Sequence, residues 1–534
     1  MNSPGGLPAG TTVLGIRTMK KTLVAAGVIV ALGVVWTGAA WFTGKQFENR
    51  VAEMIAQGNA ELKRTSPESG LELAYQNYHR GVFSSQLELV VKPVQGAQSS
   101  WLKPGQTVVL NEDVDHGPFP FAQLKKFNLI PSLASVNTTL ANNATTKALF
   151  DHTKGQSLFT ADTRVGYSGA TATDITLVPV NYQQEQDKIA FSGGEFTVAV
   201  DGDSNEMSLK GNIDSALIDS VNEYGQRVQM SINNLKTDGS SELTSFDERI
   251  GQQQLNLEKL AISVEGNELA VFEGTALTAK TEVAEDKKHL NSVVDYTLDS
   301  LKVQNQNMGS GKLTLKVGQV DGKAWHQFSQ QYNAQANALL SQPEVMQNPQ
   351  AYQENFRQIL LNNLPLLLDS GPVITVAPFS WKNAKGESSL NLSLFFKNKE
   401  ELKQPVKSLG EELLRNVKSL DGKLSIPMDM ATEFMTQVAQ LEGYQKDQAE
   451  KLARKQVEGA AAAGQMFRLV STKDNVISTS LQYANGQVNL NGDKMPVEAL
   501  FGKFTLPGMG GEAPAPELET PMAPAPRGPM IAPQ

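Results

Sequence analysis

The chain has 534 residues, of which 40% are apolar and 19% charged, so it can bury a sizeable core and form two or more globular lobes. Its formal net charge of −9 leaves no basic face for a polyphosphate, which argues against a nucleic-acid partner. It contains no cysteine, which excludes disulfides, thiolate catalysis and cysteine metal sites, and is compatible with an oxidising compartment such as the periplasm.

The first predicted element is an uncharged stretch from Thr22 to Gly44. As a helix it would be ~35 Å long, enough to cross a hydrocarbon layer ~30 Å thick. Residues 1–21 carry three basic residues and no acid, so we predict that this short N-terminus is cytoplasmic. Residues 22–44 then form a single-pass signal anchor, and the bulk of the chain is exported.

Two alternatives stay open at this end of the chain. The small residues of Thr37-Gly38-Ala39-Ala40 would suit cleavage of a signal peptide, but the apolar run continues through Trp41 and Phe42. The run is therefore longer than the usual signal core of ~7–15 residues, and we favour an anchor that is retained. Met19 is also a natural start, which leaves open whether residues 1–18 are translated.

The segment from residue 45 to residue 321 is predicted to be a β-rich domain that begins with a short amphipathic helix. From Leu71 to Val320, alternating apolar residues and short turns recur without the spacing of βαβ units, which indicates an antiparallel sheet with one covered face. The alternation changes phase at Glu258-Lys259, which predicts a bulge that bends the sheet. Gly81 joins two of these strands, where we expect a turn with positive φ.

Helical spacing begins at Gly322 and defines a second, α+β domain over residues 322–506. Asn485-Gly486 is the strongest signal for a two-residue hairpin turn. Eight of the last 28 residues are proline, so residues 507–534 are predicted to be a disordered tail. The other predicted elements are helices within Lys323–Leu368, a strand pair at Ile374–Trp381 and Ser389–Phe396, a helix at Lys399–Ser419, and a helix at Met428–Arg468 that breaks near Gly443.

The predicted fold class is therefore α+β. A transmembrane helix is followed by a large, mostly antiparallel, curved β-sheet body, and a helical portion lies in the C-terminal third. The search for catalytic motifs is mostly negative, because the five histidines are scattered and no zinc-binding spacing occurs. Gly311-Lys312 lacks the other residues of a phosphate-binding loop and is interpreted as a hairpin turn. No metal or cofactor is expected, and an enzyme is the least favoured function.

Two short segments are more specific. His116-Gly117-Pro118 ends a predicted strand, and an earlier segment has the pattern Tyr-x-Arg-Gly-x-Phe-x-Ser, formed by Tyr78, Arg80, Gly81, Phe83 and Ser85. Arg80 could hold a phosphate or carboxylate, and His116 could move a proton. Neither residue has a partner that is visible in the sequence, so we weigh a structural role over a functional one at both segments.

These segments resemble signatures of the YdgA-like family of the Gram-negative envelope, for which no biochemical activity is established. Ser192-Gly193-Gly194-Glu195-Phe196 and the hairpin around Asn485-Gly486 are similar to further pieces of that family. The resemblance runs from about Met19 to Phe504 and supplies no catalytic residues. It implies an inner-membrane anchor, a large periplasmic domain and self-association, with a homodimer as the favoured oligomer.

Two functions remain ahead of catalysis. In the first, apolar strand faces line an elongated cavity against the helices at 323–368 and bind a lipid or another hydrophobic ligand in envelope maintenance. The candidate wall residues are Leu313, Leu315 and Val317 on one strand, and Leu390, Leu392 and Leu394 on another. In the second, the protein is a scaffold that self-associates through a sheet edge or through the helix at 428–468. The sequence does not separate them, since an apolar stripe packs in a core more often than it binds a ligand.

Overall fold

The computed structural model describes residues 69–81, 84–95, 102–116, 120–184, 186–202, 205–222, 224–340, 349–403 and 414–504, together with parts of a helix between residues 52 and 63. The predicted anchor at residues 22–44 and the predicted tail at residues 507–534 lie outside these ranges. Within them, no helix is both long enough and apolar enough to span a membrane.

One large antiparallel sheet forms the body of the protein, as the alternating sequence pattern predicts. Its N-terminal strands are β1 (Leu71–Arg80), β2 (Ser84–Pro93), β3 (Val108–His116), β4 (Ala134–Leu140), β5 (Phe159–Val165), β6 (Thr171–Leu177), β7 (Val180–Gln184), β8 (Asp187–Phe191) and β9 (Gly194–Val200). The long central strands are β10 (Glu206–Val221), β11 (Arg227–Leu243), β12 (Arg249–Val264), β13 (Asn267–Val283), β14 (His289–Val303) and β15 (Gln306–Asp321). The C-terminal strands are β16 (Val373–Asn383), β17 (Gly386–Phe396), β18 (Val417–Pro427), β19 (Ser471–Lys473), β20 (Val476–Ala484), β21 (Gln487–Leu490) and β22 (Asp493–Pro496).

Most strands pair with their neighbours in sequence. β1 to β6 follow one another, and β9 then pairs with both β6 and β10. From β10 to β18 each strand pairs with the next, and β18 pairs with β20, which leads on to β21 and β22. The sheet therefore continues across residues 321 and 322, where the sequence analysis separates two domains.

Helices are inserted between the strands. They are α1 (Phe121–Lys125), α2 (Lys147–His152), α3 (Gly322–Leu340), α4 (Pro349–Leu368), α5 (Lys399–Leu402), α6 (Met428–Leu441), α7 (Lys446–Met466) and α8 (Val497–Phe504). α3 packs on α4, and α6 packs on α7. The break predicted near Gly443 is confirmed, since this residue has a φ of 98° and lies between the end of α6 and the start of α7.

The largest buried core lies in the N-terminal part of the sheet, and a smaller one lies in the C-terminal part around Tyr483 and Val488. Alternate residues of β2 to β6 and β9 share one face, and on it Leu89 and Leu110 are each 1% exposed. Phe150 of α2 and Ile55, from the helix before β1, pack onto this face. Alternation with one fully buried side is the pattern of an antiparallel sheet with one covered face.

An irregular row crosses the long strands β10 to β14. It consists of Asp214, Asn234, Glu258, Gly274 and Asp299, whose flanking residues pair regularly across the strands while these five are skipped. Asn234 and Gly274 have positive φ values of 51° and 61°. The row coincides with the phase change predicted at Glu258-Lys259. This irregular row differs from the predicted bulge. Five adjacent strands are interrupted together, and neither strand of a pair gains a residue there.

The turn predicted at Gly81 is wrong in its backbone conformation. Gly81 does not have a positive φ; in β1 the positive φ, 53°, belongs to Asn77, at a register shift between Gln76 and His79. The Gly81 amide donates to the carbonyl of Ser84 over 2.6 Å, and a Cβ at Gly81 would lie 3.0 Å from the same oxygen. Close backbone approach, rather than φ, therefore explains the preference for glycine here.

Two further predictions need correction. The helix predicted at Lys399–Ser419 is present as α5 from Lys399 to Leu402, and its residues 404–413 lie outside the described residues. Its predicted end is wrong, because Val417 to Ser419 already belong to β18 and pair with β17. Gly311 is not in a hairpin turn but inside β15, paired with Leu298 on one side and Trp381 on the other. The Trp381 ring lies over Gly311, so that a Cβ there would be 2.8 Å from the ring.

Candidate functional site

The β1–β2 hairpin and strand β3 bring four motif residues together. Ser85 on β2 lies opposite Arg80, the last residue of β1. Its Oγ atom is 2.8 Å from Nε2 of His116 at the end of β3, and 3.4 Å from the hydroxyl of Tyr78. We call Tyr78, Arg80, Ser85 and His116 the signature cluster. The other motif residues Phe83, Gly117 and Pro118 lie outside the described residues.

Burial determines what the signature cluster can do. A serine beside a histidine is the arrangement of an activated nucleophile, but Ser85 is only 1% exposed, so a substrate has no access to its hydroxyl. Burial lowers the pKa of His116, the charge of Arg80 lowers it further, and Asp115 opposes both effects. His116 is therefore neutral at pH 7, and the geometry supports a structural hydrogen bond that joins β2 to the end of β3.

Glu112 lies in the same core and was not identified by the sequence analysis. It occupies an alternate position between Leu110 and Val114, on the apolar face of β3, and is 3% exposed. Burial raises the pKa of Glu112 to about 8, although the hydrogen bond from Thr138 lowers it. A carboxylic acid at an apolar position of a clean alternation was the available sequence signal.

The Gly193-Gly194 motif is explained by close packing of strands. Gly193 has a φ of 91°, and a Cβ there would lie 2.6 Å from the carbonyl oxygen of Leu177. The ring of Phe196, in the same motif, covers Gly211 on the neighbouring strand β10, with which it pairs directly. The motif therefore fixes the junction of β6, β9 and β10.

The six candidate wall residues share one face of the sheet, with β16 between their two strands. Residues that pair directly across strands project to the same side, so the register decides which side chains are neighbours. Three rows of three result: Leu313, Phe379 and Leu390; Leu315, Val376 and Leu392; Val317, Ile374 and Leu394. We call these nine residues the apolar grid. The sequence analysis did not include Ile374, Val376 and Phe379 of β16, because Ala377-Pro378 interrupts the alternation of that strand.

The apolar grid is not packed like the core. All nine of its side chains remain partly exposed, and Phe379 is 48% exposed. The same face continues through Tyr296 to Leu277 and Leu255, which are 36% and 38% exposed. The opposite face is polar, with Lys316 paired with Thr375. The apolar alternation here marks a face that is only partly covered.

Helices approach the apolar grid from two directions. On the side of the row that contains Phe379, the side chain of Asn383 donates to the carbonyl of Met430 in α6 over 2.9 Å. On the side of the row that contains Ile374, α4 ends at Leu368, shortly before β16 begins. α3 reaches away to the turn between β11 and β12, where Nδ1 of His326 is 2.8 Å from the carboxylate of Glu248. The grid is thus a partly covered strip beside two helical insertions.

The residues that the structure describes contain no candidate metal site. Among the residues that the structure describes, no three histidine, aspartate or glutamate side chains come close enough to hold a metal ion. A cleft of about 560 Å³ lies away from the apolar grid and is lined by residues of mixed character, among them Arg164, Met207, Glu242 and Ile250. Among the described residues, neither this cleft nor the apolar grid brings together a nucleophile, a base and an orienting group.

Comparison with known proteins places this architecture in a family. Residues 19–498 match the family described as "Bacterial protein of unknown function (DUF945)". The chain belongs to this family. The matched region contains both the signature cluster and the apolar grid, so both lie in the domain by which this DUF945 protein is recognised.

Its relatives carry no assigned activity in their names. Protein YdgA of Escherichia coli (strain K12) is 61% identical over 491 residues, which cover 92% of this chain and 98% of the relative. Uncharacterized protein YihF of the same organism is 32% identical over 481 residues, 90% of this chain and 98% of the relative. An uncharacterized protein of Haemophilus influenzae is 26% identical over 327 residues, 57% of this chain and 84% of the relative. No solved structure matches the chain.

Proposed function

We propose that this DUF945 protein binds a lipid or another hydrophobic molecule on the apolar grid, as part of envelope maintenance. In this proposal residues 22–44 anchor the chain in the inner membrane, and the described body lies in the periplasm. In this proposal the role is binding rather than catalysis, because the Ser85 hydroxyl beside His116 is buried.

The observation that carries the proposal is a contrast in burial between two faces with the same sequence pattern. Leu89 and Leu110, on the core face, are each 1% exposed, whereas every member of the apolar grid keeps contact with solvent. Apolar surface in contact with water costs ~25 cal/mol per Å², so a face of this extent favours a bound apolar molecule. An acyl chain is long and narrow enough to follow the rows across the strands.

Self-association through a sheet edge has less support. The side chain of Asn59 donates to the carbonyl of Leu73 over 3.0 Å and accepts from the amide of Leu73 over 2.7 Å. It therefore occupies backbone groups on the outer edge of β1 that an added strand would use. At the other end, β22 is four residues long, contains Pro496 and is followed directly by α8. Short strands and proline both oppose pairing with another chain.

Self-association through the long C-terminal helix also has less support. The small residues of α7 that are buried, Ala449, Ala453 and Ala461, together with Val457, belong to a helix that packs on α6 of the same chain. These buried small residues therefore make their helix contact within the protein.

A pair of variants tests the ligand proposal. Leu392 and Asn391 are neighbours on β17 with side chains on opposite faces, so Leu392→Glu and Asn391→Glu add the same charge at nearly the same place. The full-length proteins would be purified from membranes in mild detergent and compared by native mass spectrometry and lipid extraction. We expect copurified lipid with the wild type and Asn391→Glu, and its loss with Leu392→Glu.

Circular dichroism separates loss of ligand from loss of fold. A partly exposed grid position tolerates a charge, so we expect Leu392→Glu to melt within a few degrees of Asn391→Glu. Unfolding of Leu392→Glu would show that the grid is a covered core and contradict the proposal. A lipid-free wild type that forms stable dimers would contradict it in favour of the scaffold.

A further inference from the structure

A cluster of large apolar side chains projects from α1 and from the segment between α1 and β4. Phe127 is 91% exposed, Leu129 is 70% exposed, Ile130 is 56% exposed and Leu124 is 38% exposed. We call these four residues the apolar tip. Single exposed apolar residues are ordinary on protein surfaces, but four within seven positions form a contiguous patch that needs a partner.

The apolar tip is held in place by a dense set of hydrogen bonds. The amide of Phe127 donates to the carbonyl of Leu124, and the amide of Asn128 donates to the carbonyl of Gln123, each over 3.0 Å. The side chain of Asn128 donates to that of Gln123 over 2.9 Å and accepts from the amide of Ile130 over 3.1 Å. Gln123 is 5% exposed and donates in turn to Ser135 on β4. The tip is therefore built on the core and does not collapse onto it.

Phe127 is held in an unfavourable backbone conformation. Its φ is 54°, in the left-handed region that bulky residues rarely adopt. Backbone strain of this kind persists where the surrounding structure imposes it, and it occurs preferentially at functional sites. This conformation lets the amides of Phe127 and Asn128 donate to carbonyls at the end of α1, and it leaves the aromatic ring in solvent.

The charged residues within the tip segment are basic, and the carboxylates of Asp115 and Asp162 lie beside α1. Lys125 and Lys126 separate Leu124 from Phe127, and the segment from Phe121 to Leu133 contains no acid. Lys125 is exposed, whereas Nζ of Lys126 lies 2.8 Å from the carboxylate of Asp162. Large apolar side chains at a tip with lysines at its base match the interface of an anionic bilayer, where the apolar groups enter the acyl region and the ammonium groups meet phosphates.

The apolar tip also belongs to the N-terminal lobe, which lies nearest in sequence to the predicted anchor. Leu133, which follows the tip, and Ile55, which follows the predicted anchor by 11 residues, both pack against the N-terminal core. An anchor at residues 22–44 would hold this lobe near the bilayer surface. A protein partner would not require such an attachment, so a membrane is the occupant that the observations favour.

We propose that the apolar tip inserts into the interface of an anionic lipid bilayer and forms a second membrane contact of the protein. The contact is distinct from the apolar grid and does not depend on a ligand there. Two contacts, one anchor and one tip, fix the orientation of the N-terminal lobe on the membrane.

The absence of cysteine makes a direct test possible. Leu129→Cys would carry a single environment-sensitive fluorophore in the full-length chain, reconstituted into vesicles of three parts phosphatidylcholine and one part phosphatidylglycerol. We expect blue-shifted emission and quenching by doxyl groups on the lipid chains. Tyr224→Cys, at a position 79% exposed in the turn between β10 and β11, is the matched control and is expected to stay water-like.

Two companion variants test the chemistry of the contact. Lys125→Glu should reduce the quenching at the Leu129 label several-fold in anionic vesicles and less in vesicles of phosphatidylcholine alone. Phe127→Asn removes the ring and places at φ 54° a residue that tolerates it. We expect it to melt at the same or a higher temperature than the parent while losing most of the quenching.

Two outcomes overturn the proposal. In one, the Leu129 label reports water in vesicles, as the Tyr224 label does. In the other, the Leu129 label is already shielded in lipid-free solution, which would assign the tip to a contact between protein chains. Neither outcome bears on lipid binding at the apolar grid, so the two proposals fail independently.

Discussion

The carboxyl group of Glu112 and the hydroxyl of Thr138 lie 2.5 Å apart inside the apolar core. The two residues are directly opposite each other on β3 and β4, and they are 3% and 9% exposed. A buried acid without a compensating charge is held in its protonated form, because ionisation in a low dielectric is unfavourable. The core thus contains a titratable proton.

This proton predicts that stability falls as pH rises. The pKa of Glu112 is about 8 in the folded protein and 4.5 for the ordinary side chain, so the folded state binds the extra proton between these values. The free energy of unfolding should therefore decrease from about pH 4.5 to about pH 8, by up to ~1.4 kcal/mol per pH unit. Glu112→Gln keeps the hydrogen bond and should remove this slope.

Urea unfolding at several pH values measures the effect. The difference between wild type and Glu112→Gln isolates the contribution of Glu112 from all other titrating groups. Glu242→Gln, at an exposed carboxyl, is the control and should leave the slope unchanged. Parallel pH profiles for wild type and Glu112→Gln would show that Glu112 is ionised in the folded protein.

Arg80 should act on His116 through its charge. Burial lowers the pKa of His116, and Arg80 lowers it further, so Arg80→Ala should raise it. A histidine whose pKa is lowered on folding destabilises the folded state as pH falls through its ordinary value, so Arg80→Ala should also improve stability near pH 5 relative to pH 7. NMR titration of the histidine ring protons measures the shift, with Lys92→Ala as the control. An unchanged titration would place Arg80 too far away to matter.

Two glycines with similar φ values should respond differently to alanine. Gly193 has a φ of 91° and Gly225 has a φ of 78°, but a Cβ would meet the carbonyl of Leu177 at Gly193 and nothing within 4 Å at Gly225. We expect Gly225→Ala to cost ~1 kcal/mol from the left-handed backbone alone. Gly193→Ala should cost at least twice as much, because the strand junction must move. Equal melting temperatures would contradict the packing argument.

Asn59 should protect the outer edge of the sheet. Asn59→Ala leaves the amide and carbonyl of Leu73 without their side-chain partner, which should cost ~1–3 kcal/mol and expose a pairing edge. We expect a lower melting temperature and concentration-dependent association in sedimentation velocity. Lys63→Ala, an exposed position on the same helix, should show neither effect. A monomeric Asn59→Ala would mean that the edge is blocked by other groups.

Local patterns in the sequence predicted the kind of structure well. Alternation predicted the antiparallel strands, and Asn485-Gly486 predicted a hairpin whose two turn residues have φ values of 50° and 74°. These features depend on neighbouring residues, so they are legible without tertiary structure. The phase change at Glu258-Lys259 was legible for the same reason, although its extension across five strands was not.

Features that depend on distant contacts were not predictable. Leu89 and Leu315 have the same alternating surroundings in sequence, yet only Leu89 is fully buried, since cover is supplied by elements far away in the chain. The end predicted for the helix at Lys399–Ser419 was wrong, because the pairing of β18 with β17 and β20 overrides a weak helical pattern from Val417 onward. The Ser85–His116 contact joins residues 31 positions apart and has no local signal.

The order of the strands has a consequence for how the chain folds. From β10 onward, a strand usually finds its partner in the strand made just before it, so structure can grow outward as synthesis proceeds. Two long delays interrupt this growth: residues 322–372 separate β15 from β16, and residues 428–475 separate β18 from β20. Each delay is filled by a helical pair, and helices form from local contacts within microseconds. At these two stages the edge strand of the unfinished sheet, β15 or β18, has no partner until the next strand is synthesised. In each case a helical pair can form during that interval.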